Sequence, residues 1–205
     1  CPEGLEKLTI GRNKMTSFSF VDCPGSLKVL DLIGTKINEF TFKGCPKSLE
    51  LLFLELNCLE EFSFKDCPVT LKSLYLSENK LKQFTFKDCP KRIKRIHIAK
   101  NRLKEIDFEG VPDSLECINL KDNDTIDVLG EIPNGIKIMG LPKRKYILTK
   151  CTGECLICKE GTEESSDLEF GHLNCHPEHT YHRECLDEWF IGRNFQKCVY
   201  CQSNV

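Results

Sequence analysis

Eight side chains near the C-terminus are of the types that bind soft metal ions, and they fall at regular intervals. Cys155-x2-Cys158 is followed by Cys175, His179, His182 and Cys185, and the series closes with Cys198-x2-Cys201. Thiolate and imidazole donors in this number suffice for two tetrahedral zinc ions. A segment as short as 151–205 cannot bury a large apolar core, so metal is expected to supply much of its stability. Eight correctly spaced ligands are poorly explained as unrelated buried cysteines.

The elements that must carry these residues differ from the rest of the chain. Of the 14 cysteines in 205 residues, seven fall in 1–150 and seven in 151–205, with four of the five histidines in the second stretch. Residues 1–150 hold 25 Lys+Arg against 21 Asp+Glu, and residues 151–205 hold 4 against 10. Two domains with different physics are implied. The overall balance of 40% hydrophobic and 29% charged residues with a net charge of −2 fits a folded chain and excludes disordered and collagen-like classes. No apolar run approaches the roughly 18 residues of a membrane span, so no membrane partner is expected. The chain starts at Cys1, on a repeat boundary without an evident cap, and further repeats or a cap are expected upstream.

In the first 142 residues Leu5, Leu27, Leu49, Leu71, Ile93 and Leu115 recur every 22 positions. Leu71, Leu74, Leu76, Asn79, Leu81, Phe84 and Phe86 make one copy, and Ile93, Ile96, Ile98, Asn101, Leu103, Ile106 and Phe108 the next. This resembles the leucine-rich repeat pattern L-x-x-L-x-L-x-x-N-x-L. The fold class expected is a parallel-β leucine-rich-repeat solenoid with little helix on its convex side, followed by a small two-zinc α+β domain. Leu74-x-Leu76 alternates as a short strand does, leucines inward, and stacked copies form a parallel sheet lining a concave surface. The asparagines Asn13, Asn57, Asn79, Asn101 and Asn123, with Thr35 substituting once, sit where the chain leaves the strand and can bond backbone groups there. Phe18/Phe20, Phe40/Phe42, Phe62/Phe64 and Phe84/Phe86 are expected to stack one ring per pair into a spine. The Cys-Pro column at 1, 23, 45, 67 and 89 ends in Val111-Pro112, which argues for packing thiols over disulfides or metal. Ile136, Met139 and Leu141 repeat the opening pattern one residue early and read as a capping repeat. The domains expected are therefore 1–142 solenoid, 143–150 basic linker and 151–205 zinc domain.

The C-terminal spacing resembles a RING finger with two central histidines, C-x2-C, C-x(1–3)-H-x2-H-x2-C, C-x2-C. The resemblance implies a cross-brace: Cys155, Cys158, His182 and Cys185 on one zinc, Cys175, His179, Cys198 and Cys201 on the other. His179-Thr-Tyr181-His182 fits the family register, which favours His179 over His176, and Cys151 is left as a spare thiol at the domain edge. RING fingers typically act as ubiquitin ligases without a nucleophile of their own, so no catalytic residue is assigned. The implied groove for a ubiquitin-conjugating enzyme falls on Ile157 and Trp189, with Val199 and Gln202 nearby. Val199 stands where many active RINGs have proline, and Gln202 where a basic residue often contacts ubiquitin.

A ligase of this kind needs a protein substrate, and the outward positions of the repeats suggest where it sits. Thr9, Asp31, Phe53, Tyr75, His97 and Asn119 form the central column. Val29, Ile33, Leu51, Phe53, Leu56 and Tyr75 make an apolar patch expected to bind the substrate. Lys91, Arg92, Lys94, Arg95, Lys100, Arg102 and Lys104 enrich one repeat in positive charge, but they spread around its circumference, so a solvated face or an acidic partner, including the acidic residues 160–169, is expected rather than nucleic acid. The leading reading is a substrate-selecting RING-type ubiquitin ligase. A non-catalytic adaptor with a structural RING is the alternative. Cys185-Leu186-Asp187 beside Pro-x-x-Leu repeats also resembles the secreted bacterial effector ligases, though their catalytic domain is helical and much larger. Free thiols and thiolate-bound zinc favour a reducing compartment, cytoplasm or nucleus.

Overall fold

The computed structural model describes residues 1–123, 126–129, 132–133, 135–141, 146–149, 154–159, 170–173, 179–182, 185–186, 189, 198 and 200–203. The chain divides into two compact units, Cys1–Ile126 with Ile132–Pro142, and Asp127–Glu131 with Lys143–Val205.

The first unit is built from three-residue strands: β1 (Lys7–Thr9), β2 (Val29–Asp31), β3 (Leu51–Phe53), β4 (Ser73–Tyr75), β5 (Arg95–His97), β6 (Glu105–Asp107) and β7 (Cys117–Asn119). After β8 (Asp127–Leu129), which belongs to the second unit, comes β9 (Lys137–Met139). Seven of these form one parallel sheet in the order β1-β2-β3-β4-β5-β7-β9. The register is in step with the sequence period: Leu30 faces Leu52, Leu52 faces Leu74, and Leu74 faces Ile96. Those leucines and isoleucines are fully buried, as are Leu27, Leu49, Leu71 and Ile93 at the start of each copy. The apolar period of 22 is thus the period of the core.

Asparagine makes the stacking specific. The Asn79 amide donates to Leu76 O of its own repeat at 3.0 Å and to Leu54 O of the preceding one at 2.8 Å, while its oxygen accepts Leu59 N–H at 3.0 Å. Asn101 repeats this on Ile98, Leu76 and Leu81. Each carboxamide satisfies buried backbone groups that have left the ladder. The residue before each asparagine position is left-handed: Arg12, Gly34, Leu56, Glu78, Lys100 and Asp122.

On the other side of the core the chain makes two consecutive turns. Cys67 N–H bonds Phe64 O and Leu71 N–H bonds Pro68 O, and the same pair recurs at Cys45 and Leu49 and at Cys89 and Ile93. Among the described residues no helix occurs in this unit. Both rings of each Phe-x-Phe pair enter the spine, where one was expected. Phe40 meets Phe42 edge-on at 5.2 Å, Phe42 meets Phe62 at 5.9 Å and Phe62 meets Phe64 at 5.2 Å, a continuous zigzag. The second ring of a pair is buried; the first is half-buried in three pairs out of four. The Cys-Pro cysteines are free thiols, half-buried from Cys23 to Cys89. Burial pushes Cys45 and Cys89 up to about 12, so they pack as neutral groups.

The capping repeat corrects the expected register. Ile138, not Met139, lies opposite Ile118, and Met139 lies opposite Asn119 on the outward column. The interval from Ile118 is 20 residues, and an odd shift relative to the expected pairing exchanges the two faces of a strand. Gly140 follows at φ 88, where a Cβ would run into the Lys121 backbone.

In the second unit β8 runs parallel to β10 (Tyr146–Thr149), β10 pairs antiparallel with β11 (Phe170–Leu173), and β11 antiparallel with β12 (Thr180–His182). Residues 146–149 of the stretch expected as a linker are therefore strand. Among the described residues the core of this unit comprises Cys155, Phe170, Leu173, Tyr181, Leu186 and Cys198, with Leu129, Leu156, Ile157 and Cys185 packed against it. No helix among the described residues is long and apolar enough to cross a membrane.

Candidate functional site

The two Cys-x2-Cys segments adopt the same turn. Lys159 N–H bonds Cys155 O at 2.8 Å and Gln202 N–H bonds Cys198 O at 3.1 Å, and both residues are left-handed, at φ 65 and 62. A five-residue turn closed in this way holds two thiols near each other.

Strand β12 brings histidine to the first of these turns. The donor atoms of Cys155, Cys158, His182 and Cys185 all lie within 4.8 Å of one another. His182 Nδ1 is 3.2 Å from Cys158 Sγ and 4.0 Å from Cys185 Sγ. Tetrahedral bonds of about 2.0 Å to nitrogen and 2.3 Å to sulfur would set such donors about 3.5–3.8 Å apart. The set therefore fits a metal ion. His182 N–H donates to Cys155 Sγ at 3.2 Å. Burial works against the Cys155 thiolate, but the N–H groups of Cys158, His182 and Ile157 outweigh it and hold its pKa below the usual thiol value. Burial raises Cys185 to about 12, helped by repulsion from Cys155 and Cys158. A cation among these sulfurs would remove that repulsion. The His182 ring lies 4.7 Å from the Phe170 ring, and its Nε2 is buried without a hydrogen-bond partner among the described residues.

The second turn meets His179. The donors of His179, Cys198 and Cys201 lie within 4.8 Å of one another, with His179 Nδ1 3.6 Å from Cys198 Sγ. Cys198 is buried and also receives Tyr200 N–H at 3.4 Å, and the Tyr181 hydroxyl lies 3.2 Å from it. Cys175, the expected fourth ligand, lies outside the described residues, as do Cys151, His176, Val199 and the acidic stretch 160–169. The two groups interleave along the chain: 155 and 158, then 179, then 182 and 185, then 198 and 201. Ile157 is half-buried against the core and Trp189 is half-buried, while Gln202 is exposed.

On the open face of the parallel sheet, Val29 pairs with Leu51, and Asp31 with Phe53. Phe53 and Tyr75 stack at 4.6 Å and 12°, and Tyr75 and His97 at 4.8 Å and 29°. Val29, Ile33, Leu51, Phe53 and Tyr75 are half-buried, and Leu56 is 53% exposed. Within the expected patch Val29 and Leu51 are cross-strand partners and Phe53 and Tyr75 stack, while Asp31 stands opposite Phe53. Sequence reading missed the continuation of the stack into His97, and it passed over Glu55. Burial, joined by the charges of Asp31 and Glu78, raises the Glu55 pKa. Three of the seven residues of the basic repeat pair with neighbouring acids: Lys94 with Glu116 at 2.7 Å, Arg95 with Glu116 at 3.8 Å and Lys100 with Glu78 at 3.2 Å.

The first unit has the leucine-rich repeat fold. It is similar to the leucine-rich repeat domain of APL1, at 22% identity over 66% of this chain and 36% of that one, with a TM-score of 0.56. The leucine-rich repeat domain of APL1B matches over 58% of this chain and 35% of its own at 22% identity and a TM-score of 0.49. YopM from Yersinia enterocolitica WA-314 matches over 70% and 34% at 24% identity and 0.49. The match spans about a third of the length of each of these solved chains. No protein-family model matches the chain, and no curated protein matches it in sequence.

Proposed function

We propose that the chain is a RING-type ubiquitin ligase that holds a protein substrate on its leucine-rich repeats and a ubiquitin-conjugating enzyme on its zinc domain. The observation that carries this reading is the interleaving of the two donor groups. Each group draws on segments distant in sequence, so neither ion could bind without folding most of the unit. Three thiolates and one imidazole favour zinc over hard cations such as calcium and magnesium. Two zinc ions are proposed, Cys175 completing the second site. Zinc supplies structural cross-links here and takes no part in proton or acyl transfer.

In this reading Ile157 and Trp189 present apolar surface to the conjugating enzyme, flanked by Val199 and Gln202, and transfer proceeds from that enzyme's thioester to a lysine of the substrate. The repeats contribute by proximity alone, raising the effective concentration of the bound lysine near the thioester. The test is to incubate the zinc-loaded protein with activating enzyme, a panel of conjugating enzymes, ubiquitin and ATP. Chains that vanish with Ile157→Ala or Trp189→Ala support the reading, and no thioester discharge with any conjugating enzyme overturns it.

The packing of Ile157 against the small core favours a second reading, a protein-interaction adaptor whose zinc domain is structural. On that reading Ile157→Ala unfolds the domain and releases zinc instead of sparing the fold and abolishing transfer.

A further inference from the structure

The aromatic stack on the open face ends abruptly at Phe53. The rungs His97, Tyr75 and Phe53 follow one another at 4.8 and 4.6 Å, close to the spacing of adjacent strands. Ring faces are therefore turned along the sheet, each toward the next strand. The next rung in register is Asp31, and beyond it Thr9. Both are shorter than a phenylalanine, and among the described residues Phe53 has Tyr75 as its one ring partner. The Phe53 face toward β2 is left without a ring, above a carboxylate.

Gly11 borders this step: a Cβ there would lie 2.7 Å from Ile33 O and 3.2 Å from Asp31 Oδ1. That oxygen is fixed by Ile33 N–H at 3.1 Å, so the carboxylate is oriented before any ligand arrives. Glu55 stands two residues after Phe53 on the same face, and among the described residues neither Asp31 nor Glu55 has a cation within ion-pair reach.

We propose that this step is a subsite for an arginine side chain of the bound protein, its guanidinium stacked on Phe53 as the next rung and lying over the Asp31 carboxylate with Glu55 beside it. A planar guanidinium satisfies both demands together: it stacks on an aromatic face and pairs with carboxylates through its N–H groups. A neutral aromatic ring would meet the stack but bury the two acids against it. An ammonium would meet the acids but not continue the stack. The proposal rests on the reading that the repeats bind a polypeptide, and it names the chemistry that polypeptide must carry.

The probe is the peptide acetyl-Gly-Gly-Arg-Gly-Gly-amide, titrated into the full ¹⁵N-labelled chain beside analogues with citrulline, lysine or glutamate in place of arginine. The arginine peptide is expected to shift the amides of Asp31, Ile33, Phe53 and Glu55 and to bind at least about fivefold more tightly than citrulline, which is isosteric but uncharged. Asp31→Asn keeps the acceptor for Ile33 N–H, and Phe53→Leu keeps an apolar rung. Each is expected to remove the preference while the remaining spectrum stays folded. Equal binding of arginine and citrulline, shifts centred elsewhere, or an unchanged preference in both variants overturns the proposal. A positional-scanning peptide library on the same chain separates the two levels of failure. Peptides that bind the open face without selecting arginine sink the subsite alone, and a face that binds no peptide of any composition sinks the protein-binding reading with it.

Discussion

The Thr35 hydroxyl lies 2.8 Å from the carboxamide oxygen of Asn57, 22 residues later. That same oxygen accepts the N–H groups of Thr35 and Ile37 at 3.1 and 3.0 Å, and the Asn57 amide donates to Leu32 O and Leu54 O at 2.9 and 3.0 Å. One buried side chain thus ties two repeats together through four backbone groups. Asn57→Ala takes the acceptor from the Thr35 and Ile37 N–H groups, at roughly 1–3 kcal/mol for each that water cannot reach, while Leu54 O keeps the Asn79 amide and Leu32 O the Thr35 hydroxyl. A loss of at least about 2 kcal/mol is expected in urea unfolding. Asn13→Ala is the control: Asn13 is exposed and bonds Ile10 O and Gly11 O of its own repeat, so a loss under about 1 kcal/mol is expected. Equal losses would show that the position acts through local turn preference instead of stacking.

How much was legible in the sequence depends on how often a feature repeats. The strand register, the asparagine ladder and the buried leucine columns each recur at a fixed offset, and an error in one copy would conflict with the others. The cap has no second copy. Ile136, Met139 and Leu141 match the pattern in residue type, but the pairing of Ile138 with Ile118 puts the strand one residue away from that match. The two phenylalanines of a pair look equivalent to alternation; their zigzag depends on contacts between repeats. In the second unit seven of the eight Cys and His positions read from their spacing gather into two groups, whereas the left-handed Lys159 and Gln202 were not legible, since neither residue type signals positive φ.

The cap register yields a direct comparison. Ile138→Ala removes a side chain in line with the buried Ile118 column, while Ile136→Ala removes one that precedes the paired residues of β9. Ile138→Ala is expected to cost about 1–3 kcal/mol and Ile136→Ala distinctly less. Gly140→Ala should also destabilise, because the new methyl meets the Lys121 backbone. Hydrogen exchange of the Leu120 amide, which bonds Met139 O at 2.7 Å, reads the cap locally. Exchange that quickens with Ile136→Ala and not with Ile138→Ala would restore the pattern read from the sequence.

Metal removal should separate the two units. The chain has a single tryptophan, Trp189, in the second unit, so its fluorescence reports that unit alone. Chelation is expected to release two zinc ions per chain and change the Trp189 emission, leaving the far-ultraviolet signal of the parallel sheet and its melting transition in place. The reason is energetic: among the described residues the core of the second unit comprises Cys155, Phe170, Leu173, Tyr181, Leu186 and Cys198, and a unit this short buries too little apolar surface to fold without cross-links. A tryptophan signal that ignores chelation contradicts the metal reading.

The matched turns allow a gain of stability. Lys159 and Gln202 pay the penalty of a left-handed backbone that glycine does not. Lys159→Gly and Gln202→Gly are each expected to stabilise the loaded zinc domain by up to about 1 kcal/mol, seen as slower zinc transfer to a competing chelator. If Gln202 also touches ubiquitin, Gln202→Gly lowers transfer while zinc retention improves, and Lys159→Gly does not. Parallel losses of zinc in both would show that these side chains hold the turns.

Glu55 gives the solenoid a pH dependence whose sign is fixed by its surroundings. Burial first, then the charges of Asp31 and Glu78, lift its pKa above the usual 4.5. The folded state therefore binds this proton more tightly than the unfolded chain. The contribution is fully present below the unfolded pKa and is lost as pH rises through the folded one. At neutral pH the ionised carboxylate opposes folding, so Glu55→Gln should raise stability at pH 7, by less than about 1 kcal/mol because the group is partly exposed and screened. The difference between the two proteins should shrink as pH falls and disappear near pH 4. Added salt should reduce the part due to Asp31 and Glu78 and leave the part due to burial. Urea unfolding of both proteins at pH 4 and pH 7 measures this, and a Glu55→Gln variant that is less stable at pH 7 would mean that the carboxylate has a stabilising partner.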